Sequence, residues 1–434
     1  MVASTGNSDE NKPAADGGEQ PSLWRRLGPG FVTGAADDDP SGVATYSQAG
    51  AAVGYGILWT LLLTFPLMVA IQVISARIGR VTGKGLAANM ALHSPRWLLY
   101  GCVSLLVVAN TINIAADIAA MGAAAHLVAG GTPLLYGLFF GLLSLFLQIY
   151  VGFERYARVL KLLTISLLAY VATAFMAGAD WDQVLFHTLV PHLRWNAKAL
   201  ALVVAVFGTT ISPYLFFWQA AQEVEELRAT LHDKPLKHAP EQARRHLRRI
   251  RVDTQLGMGA SNVVAFFIMV TVAATLHKHG ITDIQSSAQA AEALRPAAGK
   301  AAFWLFALGI VGTGMLAVPV LAAASAYATA EAFGWKVGLG RSLGRAPGFY
   351  GVLGLGMAVG IALTFTALDP VKALVGSTIV NGVVAVPVMA VLMRLVSRRD
   401  VMGDCLASRR LKLTGWAATL VMALAVIGMV ATSL

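Results

Sequence analysis

Three consecutive carboxylates, Asp37, Asp38 and Asp39, stand in the middle of an otherwise apolar stretch, GPGFVTGAADDDPSGVATYSQAG, from Gly28 to Gly50. Ionisable side chains inside an apolar span mark cation pathways or proton relays. Pro40, Ser41 and Gly42 follow at once. Proline has no backbone donor and clashes with the preceding turn, and glycine accepts conformations other residues avoid, so a helix should break here. A break at membrane depth frees carbonyls that must meet protein, water or an ion. Far downstream a second apolar stretch is interrupted at Thr209-Thr210-Ile211-Ser212-Pro213-Tyr214. Two interrupted helices in corresponding positions of two halves are the strongest sequence pointer to a transport site.

The rest of the chain must position those breaks. It has 434 residues, 56% hydrophobic and 13% charged, with a mean hydropathy of +0.65. Soluble domains carry about a quarter charged residues, so this composition predicts a polytopic membrane protein. The net charge of +10 comes from Lys and Arg confined to alternate loops, a signature of topology rather than of nucleic-acid binding. Cys102 and Cys405 are far apart, one in an apolar span and one in a basic loop, which predicts neither a disulfide framework nor a metal cluster. The histidines are scattered, and His277 with His279 is too short a cluster for a site. No nucleotide-binding loop accompanies the 43 glycines.

Eleven spans are expected from runs long enough to cross the hydrocarbon core. They are Gly28–Val53 (broken), Tyr55–Ile78, Trp97–Val128, Pro133–Gly152, Val159–Met176, Ala199–Val224 (broken), Thr254–Leu276, Ala301–Ala332, Gly348–Leu368, Pro370–Val396 and Leu413–Leu434. Basic residues cluster after spans two (Arg77, Arg80, Lys84), four (Arg155, Arg158, Lys161), six (Arg244 to Arg251), eight (Lys336, Arg341, Arg345) and ten (Arg394 to Arg410). The opposite loops are uncharged or of mixed sign, so the N-terminus is expected inside and the C-terminus outside. The run from Arg244 to Arg251 also suits anionic lipid, with the topogenic role preferred. Residues 1–22 read as a disordered cytoplasmic tail, with Trp24, Arg25 and Arg26 as an interfacial anchor and no cleavable leader. Residues 23–434 read as a single transmembrane domain. Repeat one covers about 28–176, repeat two about 199–396, and an extra span about 413–434. Halves of five spans insert in opposite senses, which gives an inverted repeat.

These features together resemble the Nramp family of divalent-metal transporters. The resemblance rests on the broken GPG-led helix with Asp-Pro-Ser-Gly, YG-x-LW opening span two, and A-R-I-G-x-V-T-G-K-G after it. The second break at Ser-Pro-Tyr, the loop SAQAAEAL and LAVPVLAAASAYA in span eight complete it. It covers the chain from Leu23 onward and implies an all-α leucine-transporter-type inverted repeat of five plus five spans with one added. The family's first break typically reads Asp-Pro-Gly-Asn and its second Met-Pro-His. Here they read Asp39-Pro40-Ser41-Gly42 and Ser212-Pro213-Tyr214. Losing the thioether removes a soft ligand, and losing the asparagine leaves more room. Hard oxygen donors around one carboxylate suit Mg2+, which keeps several of its waters. The combination looks like the Nramp-related magnesium transporter branch.

The candidate metal ligands are therefore Asp39, the carbonyls near Ala36 and Thr209, Ser212, and the space at Gly42. Asp39 is preferred over Asp37 and Asp38, which also read as helix-end or hydrogen-bonding residues. Ser212 reads equally as an ion contact through water or as a back-bond to a carbonyl. Tyr214 reads first as packing. Gln48, Gln219 and Asn381 line a vestibule or bond between helices. Asp117 binds ions or protons, or pairs with Asn110 or Asn113. Proton-coupled family members have the histidine, an acidic pair in span three and arginines in span nine, which this chain lacks. A phenol of pKa near about 10 is a poor shuttle at neutral pH.

The resulting expectation is a carrier of hydrated Mg2+, passing Mn2+ too, in a bacterial-type inner membrane. It would work by alternating access without proton coupling and need no resident cofactor or nucleic acid. The alternatives are a proton-coupled Mn2+/Fe2+ symporter, a non-transporting metal receptor, and an intramembrane aspartyl protease using Asp39 with Asp117.

Overall fold

The computed structural model describes residues 28–151, 165–192, 196–230, 232–366 and 369–433. The N-terminal tail, the Trp24–Arg26 anchor, the basic loop with Arg155, Arg158 and Lys161, and the first part of the fifth expected span lie outside those residues. So do the last residues of the fourth, ninth and eleventh spans.

Among the described residues the regular structure is helical throughout. The first half contains α1 (Pro29–Asp37), α2 (Pro40–Val53), α3 (Trp59–Thr82), α4 (Leu86–His93), α5 (Arg96–Ala129), α6 (Pro133–Tyr150) and α7 (Ala169–Met176). The short α8 (Trp181–Leu189) leads to the second half. That half contains α9 (Ala197–Thr210), α10 (Pro213–Ala229), α11 (Ala243–Thr275), the short α12 (Ser287–Glu292) and α13 (Arg295–Ala298), α14 (Ala302–Ala332), α15 (Pro347–Leu363) and α16 (Pro370–Ser397). α17 (Arg399–Met402) and α18 (Arg409–Ser433) follow.

Both breaks fall directly before a proline, although Pro66, Pro319 and Pro387 lie inside continuous helices. Pro40 opens α2 and Pro213 opens α10, the first-turn position at which a missing N–H costs nothing. The residues just before them, Asp39 and Ser212, are extended, as a pre-proline position prefers.

Among the described residues, eight helical segments are long and apolar enough to cross a bilayer. The other three expected spans are the α1–α2 pair, the 165–176 segment and the seventeen-residue α15. The first falls short because Asp37, Asp38 and Asp39 put three charged residues into its apolar run, whereas the equally broken α9–α10 segment has none at its break and qualifies. Burial sorts centre from periphery. The α9–α10 segment is 89% buried over its apolar window, against 22% for α6 and for α18.

Close backbone approach holds the broken helices in the centre. A Cβ at Gly34 would collide with the backbone of Gly257 on α11, and one at Gly208 with the backbone of Thr378 and Gly382 on α16. Small residues permit this kind of contact where no hydrophobic force separates protein from lipid.

Candidate metal site

Asp39 caps the N-terminus of α2. Its Oδ1 accepts from the Gly42 N–H at 2.6 Å and from the Ser41 hydroxyl at 2.7 Å, and the residue is 2% exposed. A helix N-terminus favours a negative charge, because its first N–H groups have no partner within the helix. The carboxylate is thus fixed by the element it starts, with Oδ2 turned toward the second break.

Tyr214 meets it there. The phenol hydroxyl lies 3.1 Å from the Ala36 carbonyl and 3.4 Å from Asp39 Oδ2. Reading Tyr214 first as packing therefore needs correcting, since it bridges the two breaks. Ser212 turns back on its own helix, its hydroxyl 2.7 Å from the Thr209 carbonyl and 2.9 Å from that of Gly208. The carbonyls of Ala36 and Thr209 each accept one side-chain hydroxyl.

Gly42 lies where the two breaks approach closely. A Cβ there would lie 3.1 Å from Thr209 Oγ1, 3.3 Å from the Asp37 carbonyl and 3.3 Å from Asp39 Oδ1. Any side chain at position 42 would project into the gap where the breaks face one another. Thr209 accordingly reaches the gap with its hydroxyl as well as its carbonyl, and only the carbonyl was foreseen.

The other two carboxylates go elsewhere. Asp37 Oδ2 and Asp38 Oδ1 lie 2.7 and 2.9 Å from the one hydroxyl of Ser261 on α11. Ser261 escaped the sequence reading; its only signal is the stretch Gly257-Met258-Gly259-Ala260-Ser261, small but for one methionine, in span seven. Gln48 is tied to the loop after α11, donating to Asp283 Oδ1 at 3.1 Å and accepting from the Ile284 N–H at 2.9 Å. Gln219 donates to Thr254 Oγ1 at 2.8 Å, a bond between α10 and α11. Asn381 is buried on α16, and its Oδ1 has no partner among the described residues. Asp117 is fully buried, with both carboxylate oxygens unpartnered, and the Ser41 N–H approaches both it and Asp39.

Among the described residues no three His, Cys, Asp or Glu side chains converge as ligands. The donors at the gap are one capped carboxylate, hydroxyls and two carbonyls, a hard-oxygen set that leaves most of a cation's coordination to water. On one side of the gap a cavity of about 20 Å3, lined by Pro40, Val43, Ser47, Ala120, Ile284 and Phe306, leads toward the loop after α11. It has room for one water. The Asp253 carboxylate accepts from the N–H groups of Gly28 and Gly30 at 3.0 and 2.7 Å, and Arg249 pairs with Glu223 and Glu226 at 2.6 and 2.5 Å.

Known proteins share this architecture. Among solved structures, the Eremococcus coleocola manganese transporter in complex with an aromatic bis-isothiourea substituted compound superposes with a TM-score of 0.70 at 18% identity, over 96% of this chain and 88% of that one. Mhp1, a nucleobase-cation-symport-1 family transporter in a closed conformation, superposes with a TM-score of 0.61 at 12% identity, over 94% and 93%. These likenesses concern the fold, the leucine-transporter type that the family resemblance implied. In sequence, a Klebsiella pneumoniae protein described as divalent metal cation transporter MntH is 28% identical over 403 residues, 90% of each chain. The family model described as natural resistance-associated macrophage protein-like matches residues 30–432. That match takes in both broken helices and every span around them, and the chain belongs to the Nramp family.

Proposed function

We propose that this protein carries divalent metal cations across a membrane by alternating access, with hydrated Mg2+ as its main cargo and Mn2+ as a second. The observation that carries this reading is the ligand set between the breaks. Asp39 stands there with hydroxyls and carbonyls, without a thioether, and Gly42 adds no side-chain ligand to the narrow gap. Mg2+ dehydrates reluctantly and binds through one or two carboxylates while keeping waters, whereas softer transition metals gain from the sulfur that is missing here. Family membership supports metal transport, as do relatives whose names describe divalent metal cation transporters.

The same reading includes eleven spans, two inverted repeats with an added span, and a cytoplasmic tail over residues 1–22. It places the protein in a bacterial inner membrane with its N-terminus inside. Transport proceeds without protons, because position 214 is a phenol, span nine has no basic residue, and Asp117 is the only acid in span three. A proton-coupled Mn2+ symporter is the second reading, favoured by the manganese transporter among the structural neighbours.

Reconstitution in liposomes, with Mg2+ and Mn2+ uptake measured side by side and internal pH recorded, decides between them. Mg2+ entry without acidification supports the first reading. Mn2+ entry with acidification and without Mg2+ flux replaces it by the second. Absence of any flux sinks both in favour of a receptor, and cleavage of added peptide would point to an aspartyl dyad.

A further inference from the structure

α5 carries Asn110, Asn113 and Asp117 at spacings of three and four residues, hence on one helix face. All three are fully buried. Asn110 uses its amide N–H groups on the Leu321 carbonyl at 3.1 Å and the Ser325 hydroxyl at 2.9 Å, but its Oδ1 has no donor. Asn113 has no partner for either amide atom, and neither carboxylate oxygen of Asp117 has one within hydrogen-bond geometry, although the Ser41 N–H approaches it. More than nine in ten buried polar groups are satisfied, and those that are not signal water or an ion. A file of orphaned acceptors on one helix face is therefore a place built for donors from outside the chain.

Its position says which donors. The Ser41 N–H approaches Asp117 and Asp39 alike, and the Tyr214 phenol lies in the field of both. Ala120, one turn beyond Asp117, lines the cavity over Pro40. Met121 and Pro40 both meet Gly314. Two carboxylates from separate helices thus face one gap. Among the ion pairs of the described residues none includes Asp39 or Asp117. Burying an uncompensated charge is costly, and a divalent cation between the two would neutralise both.

We propose that Asp117 is the second anion of the ion site, holding the hydrated cation from the α5 side through its water shell, opposite Asp39. The inference rests on the reading of the gap as an ion site and adds the residue that recognises hydration. Waters bound to a cation donate outward, and the orphaned oxygens of Asp117, Asn113 and Asn110 accept those hydrogen bonds. A stripped ion offers no such donors at that distance, so this wall favours the hydrated cargo over a dehydrated one.

The test uses the full chain in liposomes with hexaamminecobalt(III) as the probe. Its ammines do not exchange and donate hydrogen bonds as bound waters do, so it reports outer-shell recognition alone. Losing hydrogen bonds to a charged group should raise the half-saturating Mg2+ concentration of Asp117→Asn about tenfold, and weaken hexaamminecobalt competition to match. Asn113→Leu should shift both in the same direction by less, and it decides the matter if Asp117→Asn does not fold. Unchanged half-saturation with competition retained in both variants overturns the proposal. Failure of the wild-type chain to move Mg2+ would instead overturn the function proposed above. Calorimetric binding of hexaamminecobalt to purified wild type and Asp117→Asn would then decide the role of Asp117 alone, weaker binding by the variant supporting it and equal binding refuting it.

Discussion

The Tyr214 hydroxyl sits 3.1 Å from the Ala36 carbonyl, so a side chain from the second break caps backbone exposed by the first. Ser212 does the same within its own break, on Thr209. The two interruptions are sewn together by hydroxyls, which leaves Asp39 as the anion at their meeting point. Each of the following expectations starts from that arrangement.

Asp39 both caps α2 and supplies the charge. Asp39→Asn should retain the cap and abolish metal uptake. Asp39→Ala should abolish uptake and also lower stability by about 1 kcal/mol, the usual cost of a lost N-cap. Uptake assays paired with thermal unfolding in detergent separate the two effects. Wild-type uptake by Asp39→Asn would move the ion to Asp37, Asp38 or Asp117.

Selectivity should follow ligand softness and space. Gly42→Asn places an amide in the gap, where its Cβ needs only a few tenths of an ångström from Thr209 Oγ1 and Asp39. Ser212→Met supplies a thioether and releases the Thr209 carbonyl from its back-bond. The double variant should raise Mn2+ uptake relative to Mg2+ and hinder the hydrated ion. An unchanged ratio would locate selectivity outside these positions.

Tyr214→Phe keeps the ring and removes the cap on Ala36. The freed carbonyl should serve as an inner ligand, shifting the Mn2+ to Mg2+ uptake ratio toward Mn2+. Stability should fall by about 1 kcal/mol for the lost hydrogen bond. A stable variant with the wild-type ratio would show that the phenol does not limit coordination.

Metal entry should proceed without proton entry, and an imposed pH gradient should not drive accumulation. An inside-negative potential should still help, because a divalent ion gains about 4.6 kcal/mol per 100 mV. Fluorescent pH and metal reporters in the same liposomes read both fluxes. Metal-dependent acidification that disappears in Asp117→Asn would establish coupling through that residue.

Local chemistry made much of this legible without coordinates. Proline at 40 and 213 marks the breaks together with the polar residues beside it, since Pro66, Pro319 and Pro387, in apolar surroundings, stay inside continuous helices. The apolar lengths and the small, hard-oxygen character of both breaks are likewise properties of the chain read in order. The family resemblance rested on the same residues, and the match over 30–432 agrees with it.

Which side chains meet was decided only by tertiary structure. Three adjacent aspartates at the end of α1 diverge, Asp37 and Asp38 onto Ser261 and Asp39 onto the start of α2. Once the helix ends, successive Cβ directions no longer follow a fixed rotation, and sequence order stops predicting neighbours. Gln48 and Gln219 read alike as polar residues in apolar spans, yet one pins a loop and the other bonds α10 to α11. α5 packs against α14 and α2, and Asp117 on it has no partner within hydrogen-bond geometry. That packing is set by contacts between segments far apart in the chain, and no local pattern encodes it.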